Sequence, residues 1–455
     1  MNSFLRRPYI WKLSLALVLV GAAGALVHNQ LHPVHNSDEA PISRMTSLGT
    51  PTQTASPKTE QPVLLNDPAI AKNWGLMHNE SGSDIRADRA WSITQGSKDI
   101  KVAVIDTGAD INHPDLGCNI WHNTGEIGFD AKGKDRSNNQ IDDDGNGFVD
   151  DVYGWNFDGN NNDLADHHGH GTHISGIIGA CGGNGIGISG VSPHVSIMVL
   201  KYYDPRSAKS DNLANTVKAI HYAVKMGANI INYSGGGLDF SQDEYNAVKA
   251  ARDKGILFVA AAGNEYSNSD QSHYYPANYK LDNIISVTAI NQKTQVLKSS
   301  NYGVDTVDIA APGENIFSLL PNNRYGTMTG TSQATAFVSG VAALIMADNR
   351  EMSYTDVRKQ ILDASDEVPD RLVGKTKNYR KLNSYKALAI HTKSTISGMQ
   401  TVANTADQTV FSPTHIDRSP SQVSQQISQL SGLMEALKTA GGPAAPTARL
   451  PNAKN

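Results

Sequence analysis

The sequence predicts an α/β protein: a doubly wound, mostly parallel sheet flanked by helices, with disordered N- and C-terminal extensions. Three observations carry this. Short apolar runs recur with amphipathic helical stretches between them, the pattern of repeated strand–helix units. The runs carry apolar residues at consecutive positions rather than only at alternate ones, as strands covered on both faces do. Both ends of the chain turn polar and low in complexity.

Ile100 to Ile105 reads as the first buried strand, and Asp106-Thr107-Gly108 ends it. Asp106 therefore falls at the carboxyl end of a strand, where open α/β sheets build their sites. The small residues around His170 let a helix over Thr172 to Gly179 start close to other backbone. Asn212 to Met226 puts Leu213, Val217, Ile220 and Val224 on one helical face, and Gly227 stops it. A strand over Asn229 to Asn232 and a helix over Glu244 to Lys254 follow, the helix ending at Gly255. The apolar strand Ile256 to Ala262 runs into Gly263-Asn264-Glu265. Further apolar segments are Ile284 to Ala289 and Val307 to Gly313. Ser332 to Ala347 is small and apolar almost throughout, the mark of a helix buried on all sides. An amphipathic stretch, Tyr354 to Leu362, closes the domain.

The chain has 455 residues and a net charge of −5, with no dense basic patch, which argues against nucleic acid as a partner. Arg6, Arg7 and Lys12 precede an apolar run from Leu13 to Val27, with Ala23-Gly24-Ala25 as a small-residue cleavage site. Residues 1–25 read as a signal peptide or an uncleaved N-terminal membrane anchor, the run being shorter than the roughly 20 apolar residues of a membrane span. Either places the rest of the chain outside the cytoplasm. Residues 26–65 read as a low-complexity linker or short pro-segment. Residues 391–455 form a low-complexity tail, in which Val423, Ile427, Leu430, Leu433 and Met434 make a short helical stripe. The chain is expected to be a monomer.

Three motifs stand far apart in one order: Val102 to Gly108 around Asp106, His168 to His173 around His170, and Gly330 to Thr335 around Ser332. Each alone is ambiguous. Asp106 could merely start a turn. It could also be half of an aspartic-protease pair, but that chemistry needs a second carboxylate and no second Asp-Thr-Gly exists. His167, His168, His170 and His173 invite a zinc site, yet one short stretch lacks a separate third ligand group and no His-Glu-x-x-His occurs. Ser332 could be a plain helix N-cap, and Asn264 a turn residue after a strand. Together the Asp, His and Ser are the side chains of nucleophilic acyl transfer.

On these motifs the chain resembles the subtilisin-like serine proteases, the subtilase family, over roughly residues 66–390. The order Asp, His, Ser is the one found in subtilisin. The resemblance implies a secreted serine endopeptidase acting on protein or peptide substrates. Ser332 would attack, His170 would take its proton, Asp106 would orient the imidazole, and Asn264 with the Ser332 N–H would hold the oxyanion. Ser234, Gly235 and Gly236, within Asn232 to Gly237, match the segment that pairs with substrate backbone. The family commonly carries a larger apolar residue where Gly235 stands, which predicts a roomy subsite. Ala336 stands where the family usually has Pro, and Thr329 where Asn is common.

Calcium is the expected ion. Asp142, Asp144, Asn146 and Asp150 occupy positions one, three, five and nine of a calcium-loop pattern, with Gly147 at six. Tyr153 at position twelve excludes an EF-hand. Crowded carboxylates repel one another without a cation, and similar acidic loops bind calcium in some family members. Asp115 and Asn184, with the backbone of Ile186 and Ile188, match a second family calcium loop to which Asp67 would contribute. Cys118 and Cys181 each lie three residues from one of that pair, so the resemblance makes them neighbours and candidates for a disulfide. Family members usually carry a folded pro-domain, which residues 26–65 are too short and too polar to build.

Overall fold

The computed structural model describes residues 61–390 except His78, Ala208 and Lys209. The assignments for residues 1–25, 26–60 and 391–455, with the helical stripe from Val423, lie outside the described residues. Among the described residues no helix is long and apolar enough to cross a membrane.

A short helix α1 (Ala87–Ala90) precedes β1 (Gly96–Asp106). Then come β2 (Gly154–Asn156), α2 (His170–Gly179), β3 (His194–Lys201) and α3 (Asn212–Lys225). They are followed by β4 (Ile230–Tyr233), α4 (Gln242–Asp253), β5 (Leu257–Ala261), β6 (Ile284–Ile290) and β7 (Ile309–Pro312). A hairpin, β8 (Ile316–Leu320) and β9 (Arg324–Met328), leads into α5 (Thr331–Asp348) and α6 (Tyr354–Asp363). Two-residue strands β10 (Asp366–Glu367) and β11 (Arg380–Lys381) end the set. The nine-stranded sheet runs β10-β11-β7-β6-β5-β4-β1-β3-β2, parallel except for β10 against β11.

Side-chain alternation along β1 divides the core. Val102 and Val104 pack with residues of α2 and α5, whereas Ala103 and Ile105 face α3 and α4. Helices on both faces require strands apolar on both faces, which is why β5 is an unbroken apolar run and β1 and β4 carry consecutive apolar residues, Val102 to Ile105 and Ile230-Ile231. α5 is buried from Thr331 to Met346, so its small residues serve close packing against the sheet. α3, α4 and α6 carry local start signals: Asp211 accepts from Ala214 N, Ser241 from Glu244 N, and Ser353 with Asp356 forms a capping box.

β2, β3 and the β8–β9 hairpin stand outside the sequence expectations. β3 had a readable signal in its apolar run from Val195 to Leu200. β2 is only three residues long and exists because it pairs with β3 at Trp155 and Leu200. Beside the sheet, Cys118 and Cys181 are joined by a disulfide with Cα atoms 6.1 Å apart and a sequence separation of 63. On a chain-entropy account, closing a loop of that length stabilises the fold by about 4 kcal/mol.

Candidate active site

The parallel registers bring three chain ends together. β1 pairs with β4, Ile105 opposite Tyr233, and β4 pairs with β5, Tyr233 opposite Ala260. Asp106, Ser234 and the loop from Ala262 therefore leave the sheet side by side at its carboxyl edge.

Asp106 is buried, and its Oδ1 accepts from Thr107 N at 2.8 Å and meets His170 Nδ1 at 2.7 Å. That bond leaves Nε2 of a neutral ring free as the proton acceptor. The first turn of α2 can come this close only because residue 171 is glycine: a Cβ there would stand 2.0 Å from Gly108 O. Burial pushes the His170 pKa down, but the Asp106 charge and hydrogen bond, with Asp166 adding to them, outweigh it and leave it raised.

Asp166 is a positioning residue that sequence reasoning missed. It is buried, and its carboxylate accepts from Thr107 Oγ1 (2.8 Å), Gly169 N (2.7 Å), and Thr172 N (2.9 Å) and Oγ1 (2.7 Å). Thr107 Oγ1 in turn accepts from Gly171 N at 2.9 Å. Asp166 thus ties the start of α2 to the end of β1. An acidic residue four positions before the predicted base was the available signal.

Ser332 sits in the first turn of α5, where unpaired N–H groups and the positive end of the helix dipole favour a developing oxyanion. Its Oγ donates to Ser234 O at 3.0 Å rather than to His170. General-base catalysis requires the His170 bond to form when substrate is present, as commonly happens in substrate-free sites. Asn264 is exposed at the end of β5, and its Oδ1 accepts from Thr331 N (3.0 Å) and Thr331 Oγ1 (3.2 Å). Its carbonyl is therefore engaged and its amide N–H remains as a donor. Asn301, also missed, fixes this loop: its Nδ2 donates to Ala262 O at 2.9 Å and its Oδ1 accepts from Glu265 N at 3.0 Å.

Ser234 to Gly237 continue β4. Gly237 exchanges backbone bonds with Tyr275, at 2.9 and 2.8 Å. Among the described residues no hydrogen bond engages the backbone of Gly235 or Gly236, which leaves an edge for an added strand. The roomy subsite expected at Gly235 is not there. A Cβ on Gly235 would lie 2.7 Å from Tyr202 Oη and 2.9 Å from the Tyr233 ring. Aromatic side chains from β4 and the end of β3 already fill that volume.

Thr329 Oγ1 accepts from Asn315 N at 2.8 Å, and Ala336 packs in the core as part of buried α5. The histidines diverge. His167 Nδ1 meets Asp204 Oδ2 at 3.0 Å, His168 is exposed, and buried His173 binds Ile316 O through Nε2 at 3.0 Å. Burial, then the charge of His170, lowers the His173 pKa to about 4.

Among the described residues, one group of three acidic side chains is gathered closely enough to hold a metal by side chains alone: Glu126, Asp142 and Asp144, their ligand atoms within 4.8 Å of one another. Glu126 is fully buried; its Oε1 accepts from Asp143 N at 2.8 Å and its Oε2 has no partner. Burial raises its pKa. An unpartnered buried carboxylate oxygen beside two further carboxylates fits a hard cation with oxygen ligands. Sequence spacing missed Glu126 because it lies sixteen residues before the motif. Asp150, expected in this group, is elsewhere: its carboxylate accepts from Asn139 N (3.0 Å) and Gln140 N (3.1 and 3.2 Å). Asn146 N donates to Asp142 Oδ1 (3.0 Å) and Asp144 Oδ1 (2.9 Å), so its backbone holds the carboxylates in place.

The second predicted set does assemble. Asn184 Nδ2 donates to Asp115 Oδ1 at 2.8 Å, Ile188 N to Asp115 Oδ2 at 2.8 Å, and Gly183 N and Asn184 N to Asp67 at 2.9 and 3.1 Å. Asp115 is fully buried and its pKa is raised, by burial first and by Asp67 among the further causes. Ile186 N donates to Asn184 Oδ1 at 2.9 Å, closing the loop on itself. The disulfide braces this set, Cys181 N donating to Asp115 O at 2.8 Å.

Fold and site together define an α/β protein that gathers Asp, His and Ser at the carboxyl edge of a parallel sheet. Residues 97–390 match the model of the subtilase family, and the chain belongs to that family. It is 34% identical over 301 residues to the thermophilic serine proteinase of Bacillus sp. (strain AK1), covering 66% of this chain and 64% of that protein. It is 34% identical over 377 residues to subtilisin-like protease 1 of Plasmodium vivax, covering 73% and 56%. With subtilisin-like protease 1 of Plasmodium berghei (strain Anka) the identity is 35% over 319 residues, covering 65% and 50%. The chain thus spans from half to just under two thirds of the length of these relatives.

Proposed function

We propose that the chain is an exported serine endopeptidase that hydrolyses peptide bonds of protein substrates through an acyl-enzyme. The observation that carries this is the 2.7 Å contact of His170 with Asp106 beside a serine at the start of a buried helix. His170 Nε2 takes the Ser332 proton as Oγ bonds to the substrate carbonyl carbon. The carbonyl electron pair moves to oxygen, where the Asn264 amide and the Ser332 N–H receive it. His170 then gives the proton to the leaving nitrogen, and the C–N bond breaks. Water, deprotonated by His170 in its turn, releases the acid and restores Ser332. Asp106 keeps the imidazole in the productive tautomer and stabilises its charged form throughout.

Calcium fits two places: Glu126 with Asp142 and Asp144, and Asp115 with Asn184 and Asp67. Bound there it would neutralise carboxylates that otherwise repel, a structural role. The family, with the basic and apolar start of the chain, supports export. The test is cleavage of unfolded casein by the purified protein and by Ser332→Ala, each with a serine-directed phosphonate. Activity lost in the variant and in the inhibited protein is expected. Cleavage that survives Ser332→Ala would place the chemistry elsewhere.

A further inference from the structure

On the serine-protease reading, a substrate carbonyl held between Ser332 and the Asn264 amide puts the side chain that precedes the scissile bond at the slot between the segments that leave the paired strands β4 and β5. One wall is Ser234 to Gly237, whose Ser234 O holds the nucleophile; the other is Ala262 to Asn264, which carries the oxyanion donor. Gly235 and Gly236 face opposite ways, Gly235 towards Tyr202 and Tyr233, and Gly236 into this slot.

The slot is occupied. A Cβ on Gly236 would stand 2.5 Å from Cε1 of Tyr274, and a Cβ on Gly263 would stand 2.9 Å from Cδ2 of the same ring. One aromatic ring therefore lies in the side-chain direction of both walls, where a Cβ would collide with it as well as with Tyr275 O at Gly236 and with Asn301 Nδ2 and Glu265 Oε2 at Gly263. Gly236 and Gly263 also have positive φ, 154° and 102°, so the walls are shaped for glycine twice over. Tyr274 is anchored at its base. Its N donates to Asn278 Oδ1 at 2.6 Å, and the next residue is bonded to Gly237 on both sides. Burial drives its hydroxyl pKa far up, so the phenol stays neutral in the slot.

We propose that Tyr274 is a specificity-determining residue that fills the acyl-side pocket, so that this protease cleaves after glycine, alanine and serine and rejects aromatic and long aliphatic residues. The proposal rests on the serine-protease reading above.

The experiment compares kcat/KM for otherwise identical peptides carrying alanine, leucine or phenylalanine before the scissile bond. The full chain, Tyr274→Gly, Tyr274→Phe and Ser332→Ala are assayed side by side. The natural protein should favour alanine over phenylalanine by about 100-fold or more, since a side chain excluded by volume loses at least what a few methylenes are worth. Tyr274→Gly should raise phenylalanine cleavage by about 100-fold while alanine cleavage changes only a few-fold, and Tyr274→Phe should keep the natural preference. Boronic acids with a methyl or a benzyl group at the same position provide a readout that needs no variant, and the methyl compound should bind the natural protein more tightly.

Equal or faster cleavage after phenylalanine, a preference unmoved by Tyr274→Gly in folded protein, or tighter benzyl binding overturns the proposal. Ser332-dependent cleavage with the wrong preference sinks the pocket assignment alone. Cleavage independent of Ser332, or none at all, removes the serine-protease reading beneath it.

Discussion

The proposed catalytic cleft and the acidic region around residues 123–151 reach their geometry by opposite routes. In the cleft, residues from positions 106, 170, 264 and 332 converge because each is fixed to the end of a strand or the start of a helix. Rigid elements carry them, and backbone hydrogen bonds set their spacing. The acidic region has little regular structure. Its ligand-type residues are close in sequence, and side-chain bonds to backbone N–H groups decide which ones meet. There Asp150 turns to Asn139 and Gln140, and Glu126 enters from an earlier turn. A motif spread over 226 residues (106 to 332) is thus placed by its elements, whereas one that fits in a ten-residue window is rearranged by its loop.

This contrast can be broken in graded steps. Ser332→Ala should cut kcat by about a millionfold, the loss subtilisin shows without its nucleophile, and leave the melting temperature within a degree or so. A large fall in melting temperature would mean the cleft is also a stabilising element. Asp106→Asn should cost about 10⁴ in kcat. On the proposed mechanism the neutral His170 is the active form, and its pKa is raised, so activity should fall as pH drops through a value above the ordinary 6.5. Without the carboxylate that pKa falls, and the acid limb of the residual activity should move to lower pH. A limb that stays in place would refute the electrostatic account.

The acidic region should answer to stability. Chelation should lower the melting temperature by about 5–10 °C, as expected for loss of a cation at high excess over its Kd. In Glu126→Gln the share of that response that belongs to this site should vanish, leaving only what the Asp115 set contributes, with kcat on peptides unchanged in folded protein. Asp150→Ala should cost only about 1 kcal/mol, the worth of its turn hydrogen bonds, and keep the full chelator response. If Asp150→Ala removed the response as completely as Glu126→Gln, the loop would be a single cation site and the contrast would fall.

What could be read from the chain alone was whatever acts over a few residues. Apolar runs, glycine stops and helix starts marked β4, β5 and the helices α2 to α6 to within a residue or two, and the end of β1, whose start lies four residues earlier than the apolar run. The same local signals put Asp106 at a strand end and Ser332 at a helix start, because turn and cap chemistry lies beside the residues it serves. Other features depended on which distant segments stack together. Asp166 and Asn301 hold catalytic loops they do not belong to. Glu126 replaces Asp150 among the carboxylates. Tyr202 fills the space left by Gly235, and Tyr274 lies between Gly236 and Gly263. In each case the deciding quantity is a volume or a pairing between residues 11 to 59 positions apart, such as 126 with 142 or 107 with 166. Periodicity reports which face of an element is buried, and the stacking of strands in the sheet decides what that face, or the loop beyond it, will meet.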